Sequence, residues 1–207
     1  LKDTLINFVG LLGWHPKDDR EFFSLSELVK EFSIKRIQKS GAVFDQEKLL
    51  WMNKQYLKKS DIDSIVEYSM GYLDKSKISH LDKNKLDMLI EFGRDRISKL
   101  TELEAIIAPF LNELNINDED LKVLNSENAQ KLLSKISSRF SQIEDWSGDE
   151  GKSLIMGCGK ELSIKGKDLF FPVRMALYGE SQGPDLPIIL DILGKDESIN
   201  RINKVVQ

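Results

Sequence analysis

The sequence predicts an all-α protein, and three observations support that prediction. Apolar residues recur at steps of three and four along nearly the whole chain, whereas strict apolar–polar alternation is almost absent. Serine, threonine and aspartate repeatedly precede these periodic segments, as they do at helix N-termini. Glycine and proline separate the segments. With 207 residues, 41% of them hydrophobic, the chain can form one large or two small domains with buried cores.

The first 58 residues are predicted to form a compact unit of four helices. The first helix runs from about residue 4 to residue 12 and turns one apolar face to the core. That face carries Leu5, Phe8, Val9 and Leu12. The next three helices are predicted to start after Ser24, Ser33 and Asp45, and Ser24 forms a capping-box pattern with Glu27.

Two further helical regions follow, with a boundary after the polar run Lys58-Lys59-Ser60. The second region is predicted to contain helices at about 62–70, 82–98, 101–114 and 126–141. The third begins near Trp146 and is predicted to contain helices at about 147–163, 167–179, 185–193 and 196–206. Thr101 and Glu104 form a second capping-box pattern. The predicted domains are therefore 1–58, 59–145 and 146–207.

Charge and cysteine content limit the classes of function. The net charge of −4 argues against non-specific binding to nucleic acid. Residues 1–58 nevertheless hold ten Lys and Arg against eight Asp and Glu, and residues 160–207 hold seven against seven, so the two ends could face phosphates. The single cysteine, Cys158, excludes an internal disulfide framework and fits the cytoplasm. No apolar run is long enough to span a membrane, and the start without methionine suggests an internal cut in a longer protein.

Sequence patterns that could indicate catalysis are incomplete. Gly151-Lys152-Ser153 resembles the end of a phosphate-binding loop, but Trp146 occupies the position that requires glycine. The only histidines, His15 and His80, lie in different predicted regions without Cys or His neighbours at metal-ligand spacing. We therefore expect surface histidines, no catalytic residue, no metal site and no cofactor in this chain.

Three blocks, taken in order, resemble one known family. The blocks are Leu11-Leu12-Gly13-Trp14-His15-Pro16 with Phe22–Leu28, Ser40–Leu57 (SGAVFDQEKLLWMNKQYL), and Phe171–Gly179 (FPVRMALYG) continuing through Gly183-Pro184-Asp185-Leu186-Pro187 to Lys195. The chain is similar in these blocks to the C-terminal half of bacterial glutamyl-tRNA synthetases, class I enzymes that join glutamate to its tRNA. Between the blocks, the match rests on helical pattern and on the stretch Arg94–Leu103.

The resemblance implies a helical stem-contact unit at 1–58, followed by a two-lobed, all-helical anticodon-binding region known as an α-helix cage. The family's His-x-Gly-His motif and Lys-rich signature loop are absent from this sequence. We therefore expect no catalytic activity here, and assign ATP and Mg²⁺ to a missing N-terminal catalytic domain of the parent enzyme. The resemblance also implies a monomer that binds glutamate tRNA, with glutamine tRNA left open.

Matched to the family residue by residue, Arg96 faces the third anticodon base and Arg174 faces the first. Gly183, Pro184 and Leu186 fall on the loop that contacts the first and second bases, although the family often carries threonine or another polar residue where Gly183 stands. Unstacked bases are recognised through their edges and by stacking, and the planar guanidinium of arginine can do both. Lys54, Lys58 and Lys59 follow the apolar face of the fourth helix and could meet stem phosphates, although a solvated helix end explains them equally well.

The arginines and the aromatic residues also have purely structural explanations. Arg96 could be a surface arginine paired with Glu91 or Asp95, and Arg174 could form a salt bridge within its own region. The aromatic residues Trp14, Trp51 and Tyr56 could stack on bases, but their places on apolar faces favour core packing. The competing function is a helical protein-interaction or scaffold domain that does not bind nucleic acid.

Overall fold

The computed structural model describes residues 1–39 and 41–206, and within them the protein is helical. The described residues form twelve α-helices and two short 3-10 helices without a β-strand; the only extended pairing is an isolated bridge between Trp14 and Ile37. The all-α prediction is confirmed. Ser40, which begins the second resemblance block, and Gln207 lie outside the described residues.

The chain divides into two compact units, residues 1–107 and 108–207. The first unit contains α1 (Lys2–Gly13), α2 (Leu25–Glu31), α3 (Gln46–Lys59), α4 (Ile62–Ser69), α5 (Lys75–Ile78) and α6 (Lys83–Arg94). The boundary lies within α7 (Leu103–Leu111). The second unit contains α8 (Asp118–Leu124), α9 (Glu127–Phe140), α10 (Gly148–Glu161), α11 (Lys167–Tyr178) and α12 (Leu186–Val205). The predicted functional boundaries at 58 and 145 remain predictions.

Side-chain caps start most of the helices. At α2, the Ser24 hydroxyl accepts the Glu27 N–H at 3.2 Å while the Glu27 carboxylate accepts the Ser24 N–H at 2.8 Å, so this capping box is confirmed. Asp45 caps α3 as predicted, by accepting the Lys48 N–H. Each cap satisfies a backbone donor that a helix start leaves unpaired, and contributes about 1 kcal/mol.

The capping box predicted between residues 101 and 104 is wrong. Glu102 instead accepts the backbone N–H groups of Ser98 and Lys99, at 2.8 and 3.3 Å. The chain then passes through a 3-10 turn, Leu100–Glu102, before α7 begins. The helix predicted for 82–98 ends at Arg94, so Arg96 lies in a turn rather than within a helix.

Helix α8 has no counterpart in the sequence prediction because it is short. Asn117 caps it by accepting two backbone N–H groups, and three acidic residues in the first turn complement the positive end of the helix dipole. In α12, the break predicted at residue 194 is confirmed, because Gly194 has φ +76° between two helical segments.

Helix α1 turns a different face inward from the one predicted. Phe8 is buried, but Leu5 and Val9 are 51% and 60% exposed, so the predicted single apolar face is wrong. The inward face instead carries Thr4, Asn7 and Phe8. Asn7 anchors the following loop: its amide donates to the Glu21 carbonyl at 2.6 Å and its carbonyl accepts the Phe23 N–H at 2.8 Å. A polar side chain with two specific loop partners therefore sets the rotation of the helix.

The core of the second unit forms around α9 and α12. Helix α9 buries one continuous apolar stripe, consisting of Leu132, Leu133, Ile136 and Phe140 with Ala129. Helix α12 buries an apolar stripe before its break and Ser198, Arg201 and Ile202 after it, and the Cys158 side chain on α10 is fully buried. These helices support the loop between α11 and α12, which contains Gly183 and Pro184 and is flanked by Arg174 on α11 and Leu186 on α12.

Candidate nucleic-acid interface

Arg96 lies on the surface of the first unit, in the turn that follows α6. Its Nη1 donates to the Phe92 carbonyl at 2.6 Å, and its Cζ lies 3.8 Å from the centroid of the Phe92 ring. Phe92 is itself buried, so the guanidinium rests on a fixed aromatic platform. One hydrogen bond and one ring contact thus orient Arg96 on one side while its other edge faces solvent.

The salt-bridge alternative for Arg96 is absent from the described part of the chain. Glu91 pairs with Arg94 at 2.9 Å, and Arg94 also donates to the Ser60 carbonyl at 3.1 Å. Neither Glu91 nor Asp95 pairs with Arg96 among these residues. A guanidinium has five N–H donors, and Arg96 uses one of them within the described protein. The remaining donors are available to a ligand.

Arg174 lies on α11 in the second unit and is half-buried. Its Nη1 donates to the backbone carbonyl of Pro184, in the loop that joins α11 to α12. The predicted alternative, a salt bridge, is absent from the described residues. Arg174 therefore fixes the loop through a backbone acceptor and keeps its positive charge without a neutralising carboxylate.

Glycine is required where this loop turns. Gly179 ends α11 in the left-handed conformation with φ +88°, and Gly183 has φ +148°. Residues other than glycine rarely adopt these backbone angles. A Cβ on Gly183 would lie 2.8 Å from the Cε1 atom of Tyr178. The ring of Tyr178 thus packs directly on the backbone at Gly183.

The structure brings Arg174, Gly183, Pro184 and Leu186 together at this loop. Gly183 is exposed, whereas Pro184 is buried and the side chain of Leu186 is 3% exposed. Leu186 begins α12 and packs into the core, so its contribution to this surface comes through its backbone and through packing. The solvent-facing part of the loop includes the backbone at Gly183, near the guanidinium of Arg174, and the exposed residues Glu180, Gln182 and Asp185.

Arg201, which the sequence analysis did not identify, holds the helices beside this loop. Its guanidinium is buried and donates to the carbonyls of Pro109, Leu177, Phe110 and Asn112, at 2.8, 2.8, 3.1 and 3.4 Å. Leu177 lies in the last turn of α11, whose terminal carbonyls lack partners within the helix. Arg201 thereby fixes the end of the helix that carries Arg174.

Glu197 provides the counterion for Arg201, with Oε1 2.8 Å from Nε. Burial, the largest single influence, raises the pKa of the Glu197 carboxyl, but hydrogen bonds from Arg201 and Asn200 and nearby positive charge together lower it below its ordinary value. The carboxylate is thus stabilised in its charged form. The i, i+4 spacing of Glu197 and Arg201 is visible in the sequence, but it equally fits an exposed helix pair.

Gly148 positions the start of α12. A Cβ on Gly148 would lie 2.1 Å from the Pro187 carbonyl oxygen, so only glycine allows the start of α10 to approach this backbone. The Gly148 N–H donates to the Asp191 carboxylate at 2.5 Å, and the indole N–H of Trp146 donates to the Leu190 carbonyl at 3.2 Å. No pattern in the sequence predicted that the start of α10 and the start of α12 approach each other so closely.

The predicted stem-binding lysines lie at the C-terminal half of α3. Lys58 and Lys59 are exposed and Lys54 is half-buried, and no carboxylate pairs with them in the described part of the chain. The Nζ of Lys59 lies 4.5 Å from the centroid of the Phe22 ring, a cation–π contact. These lysines therefore keep their charge available to an anionic ligand.

The aromatic residues behave differently from one another. Trp14 is 1% exposed, so core packing is confirmed for it. Tyr56 is half-buried and donates its hydroxyl to the Phe23 carbonyl at 3.0 Å. Trp51 is 45% exposed, and the prediction that it packs in the core is wrong. Its ring contacts Phe22 with centroids 5.4 Å apart but keeps much of its surface in solvent.

His15 and His80 are exposed, as predicted. Within residues 1–39 and 41–206, no group of three or more His, Cys, Asp or Glu side chains is arranged to hold a metal ion. A search of the same residues finds no helix with the length and apolar character needed to cross a membrane.

Comparison with protein families finds two matches. Residues 46–206 match the family described as anticodon binding domain. Residues 1–51 match the family described as tRNA synthetases class I (E and Q), catalytic domain. The two matches overlap in the first turns of α3, at residues 46–51.

Individual relatives agree with these matches. The glutamate–tRNA ligase of Bacillus subtilis is 33% identical over 213 residues, covering 99% of this chain and 44% of the relative. The corresponding ligase of Staphylococcus saprophyticus is 34% identical and covers 100% of this chain and 44% of the relative. Among solved structures, a glutamate tRNA ligase from Elizabethkingia meningosepticum aligns over 100% of this chain and 41% of its own, with a TM-score of 0.86 and 27% identity. The chain thus spans less than half the length of these relatives.

Proposed function

The chain belongs to the anticodon-binding domain family, and from this premise we propose that it recognises the anticodon and stem of glutamate tRNA for a glutamate–tRNA ligase. The observation that carries this proposal is that both candidate arginines are oriented by backbone carbonyls and paired with no carboxylate in the described residues. Two charged, planar donor groups held in this way suit the edges of unstacked bases.

At Arg96, the proposed role is recognition of the third anticodon base. The Phe92 ring supports one face of the guanidinium, and the Phe92 carbonyl holds one of its nitrogens. The free edge can then donate two parallel hydrogen bonds to base acceptors such as O2 and N3 of cytosine. Because the group is already oriented, little side-chain entropy is lost when the base binds.

At the loop between α11 and α12, the proposed role is recognition of the first two anticodon bases. Arg174 supplies donors, and the exposed backbone at Gly183 lets a base approach closely because no side chain intervenes. Pro184 and Leu186 support this loop from the buried side. A rigid loop presents these groups at low entropic cost.

The lysines of α3 are proposed to contact phosphates of the tRNA stem. Lys54, Lys58 and Lys59 carry positive charge without carboxylate partners in the described residues, and phosphate contacts position an RNA without specifying its sequence. Since the chain as a whole is acidic, this local charge matters for orientation.

The activity of the whole enzyme extends this proposal. The relatives are named as glutamate–tRNA ligases. A cytoplasmic parent enzyme of this kind would use ATP and Mg²⁺ in its catalytic domain. Residues 1–51 match one segment of that catalytic-domain family. In that assembly this chain supplies tRNA selection, as a monomer. Glutamine tRNA remains a second candidate substrate.

Calorimetric titration of this chain with the anticodon stem-loop of glutamate tRNA tests the proposal. We expect Arg96→Ala and Arg174→Ala each to weaken binding by about 1–3 kcal/mol, and each to remove discrimination at one anticodon position only. Arg96→Lys and Arg174→Lys keep the charge but lose the planar fork, so we expect discrimination to fall while the salt dependence is retained.

Arg139→Ala is the matched control in the second unit. Arg139 is a half-buried arginine already paired with Glu161 at 2.7 Å, so its removal should leave anticodon discrimination unchanged. Equal binding to stem-loops with unrelated anticodons would refute base recognition. Complete insensitivity of tRNA binding to both arginine substitutions would instead support the scaffold alternative.

A further inference from the structure

Asn53 joins α3 to the turn that carries Arg96. Its side chain is 8% exposed, and its Nδ2 donates to the Ser98 carbonyl at 2.7 Å, across 45 residues of chain. The Oδ1 atom of the same amide accepts from the Leu1 amino group at 2.7 Å. Because both ends of the amide have partners, the side chain is held in one orientation.

A second contact ties the other end of the turn to the same helix. Arg94, the last residue of α6, donates from Nη1 at 3.1 Å to the carbonyl of Ser60, which caps the end of α3. The Arg94 side chain is 17% exposed. Asn53 and Ser60 lie about 10 Å apart along α3, since a helix rises about 1.5 Å per residue. Two attachments this far apart fix both the position and the tilt of the turn against α3.

Hydrogen bonds within the turn carry this fixed position to Arg96. The Arg96 N–H donates to the Gly93 carbonyl at 2.9 Å, and the Ser98 N–H donates to the Glu102 carboxylate at 2.8 Å. Ile97, which lies between Arg96 and Ser98, is fully buried. The backbone is therefore held on both sides of Arg96, so a displacement of Ser98 would move the guanidinium as well.

The buried amide of Asn53 determines the placement of the turn more than it adds to stability. Burial of an amide costs free energy that its hydrogen bonds largely offset, whereas an apolar side chain would fill the space without that cost. The α3 side chains Met52 and Leu57 are fully buried and already supply apolar packing. A hydrogen bond depends on distance and direction, so Asn53 selects one placement of the turn where apolar packing alone would allow several.

Helix α3 also carries the three lysines proposed to contact the tRNA stem, Lys54, Lys58 and Lys59. We infer that Asn53 and Arg94 are positioning residues, which hold Arg96 at a fixed place relative to α3. The proposed contact with the third anticodon base and the proposed contacts with stem phosphates then belong to the same rigid part of the first unit. A recognition site must be held within about 0.5 Å of its productive geometry, so base recognition depends on these two contacts. This inference rests on the proposed function.

Asn53→Leu tests the inference, because it keeps the branching of the side chain and removes the amide donor. Calorimetric titration measures binding to full-length glutamate tRNA transcripts that differ only at the first or only at the third anticodon base. We expect the ratio of dissociation constants for the incorrect and the correct third base to fall by about fivefold or more, the lower end of what one bidentate contact provides. The ratio at the first base, which is assigned to Arg174 in the second unit, should stay at the parent value.

Arg94→Met is a second variant, which removes the contact with Ser60 and decides the question alone if Asn53→Leu does not fold. It also removes a positive charge, which weakens binding to every transcript alike, so only the ratios are compared. Tyr56→Phe is the matched control on the same helix. It removes one hydrogen bond from α3 to a distant carbonyl, that of Phe23 at 3.0 Å, without touching the Arg96 turn. Both ratios should be unchanged in this control.

The Arg96→Ala background separates positioning from general destabilisation. In that background Asn53→Leu should change neither ratio further, because the residue through which it acts has been removed. A further change there overturns the inference, as does an equal fall of the first-base and third-base ratios in the single variants. A third-base ratio that stays at the parent level in either folded variant overturns this inference alone. A parent chain without third-base preference overturns the proposed role of Arg96 together with it, so the two failures are distinguishable.

Discussion

Replacement of Arg201 by methionine tests how the α11–α12 loop is supported. Methionine has a similar length and fills the space with apolar atoms, but it donates no hydrogen bond. The carbonyls of Leu177 and Phe110, whose hydrogen bonds from Arg201 are buried, would lose that donor, and those of Pro109 and Asn112 would lose a partly buried one. The substitution therefore isolates the hydrogen-bonding role of a buried cation.

The expected cost follows from the number of acceptors. A buried acceptor left without a donor costs about 1–3 kcal/mol, so the two buried carbonyls alone account for about 2–6 kcal/mol. Glu197 is 37% exposed and can be hydrated when its partner is removed, which limits the additional cost of an unpaired carboxylate. We expect Arg201→Met to lower the unfolding free energy of the second unit by about 3–5 kcal/mol.

Native-state hydrogen exchange of the buried α9 amides measures the stability of the second unit separately from the first. Glu197→Gln retains every carbonyl contact of Arg201, so its expected cost is only about 1 kcal/mol. Lys204→Met is the control, because Lys204 forms an exposed pair with Glu113 at 3.3 Å and its loss should cost less than about 0.5 kcal/mol. An Arg201→Met variant within about 1 kcal/mol of the parent would refute the reasoning.

Two further predictions concern α10. Gly148→Ala should lower the unfolding free energy of the second unit by about 1–3 kcal/mol in urea denaturation, because its Cβ would meet the Pro187 backbone. Gly157→Ala lies in the same helix and has open space at its Cβ position, so it should raise the unfolding free energy by about 0.5–1 kcal/mol. Equal effects of the substitutions at Gly148 and Gly157 would contradict this packing. Cys158 is buried, and burial raises the pKa of its thiol. A thiol-specific reagent should therefore label Cys158 only after the protein unfolds. Rapid labelling of the native protein would contradict this and would show that α10 opens readily.

The helical class followed from local patterns that need no tertiary information. The Ser24 and Asp45 caps and the break at Gly194 are decided by neighbours within a few residues, so the sequence predicts them correctly. The capping box at 101–104 failed because a competing carboxylate, that of Glu102, two residues before Glu104, accepts the backbone N–H groups of Ser98 and Lys99. Sequence rules for helix caps do not predict which of two nearby carboxylates, Glu102 or Glu104, will accept the backbone N–H groups.

Rotation of a helix about its axis is a tertiary property. The sequence of α1 offers Leu5, Phe8 and Val9 as apolar candidates for the core, but only Phe8 is inside. The choice depends on Asn7, whose two hydrogen bonds to a loop fourteen and sixteen residues later hold the helix in place. The surroundings of Trp51 are also a tertiary property, since the ring it contacts belongs to Phe22, far away in the chain.

The sequence by itself determined the helical class, the caps at Ser24 and Asp45, and, through the resemblance of its motif blocks, the family and the identity of the candidate arginines. Only the tertiary structure decided what surrounds those arginines: a phenylalanine ring and carbonyl at Arg96, and the Pro184 carbonyl at Arg174. It also decided the role of Arg201, which joins carbonyls as many as 92 residues away in the chain. Helix formation depends on near neighbours, whereas the partners of a buried charge and the outer face of a helix depend on segments brought together only by folding.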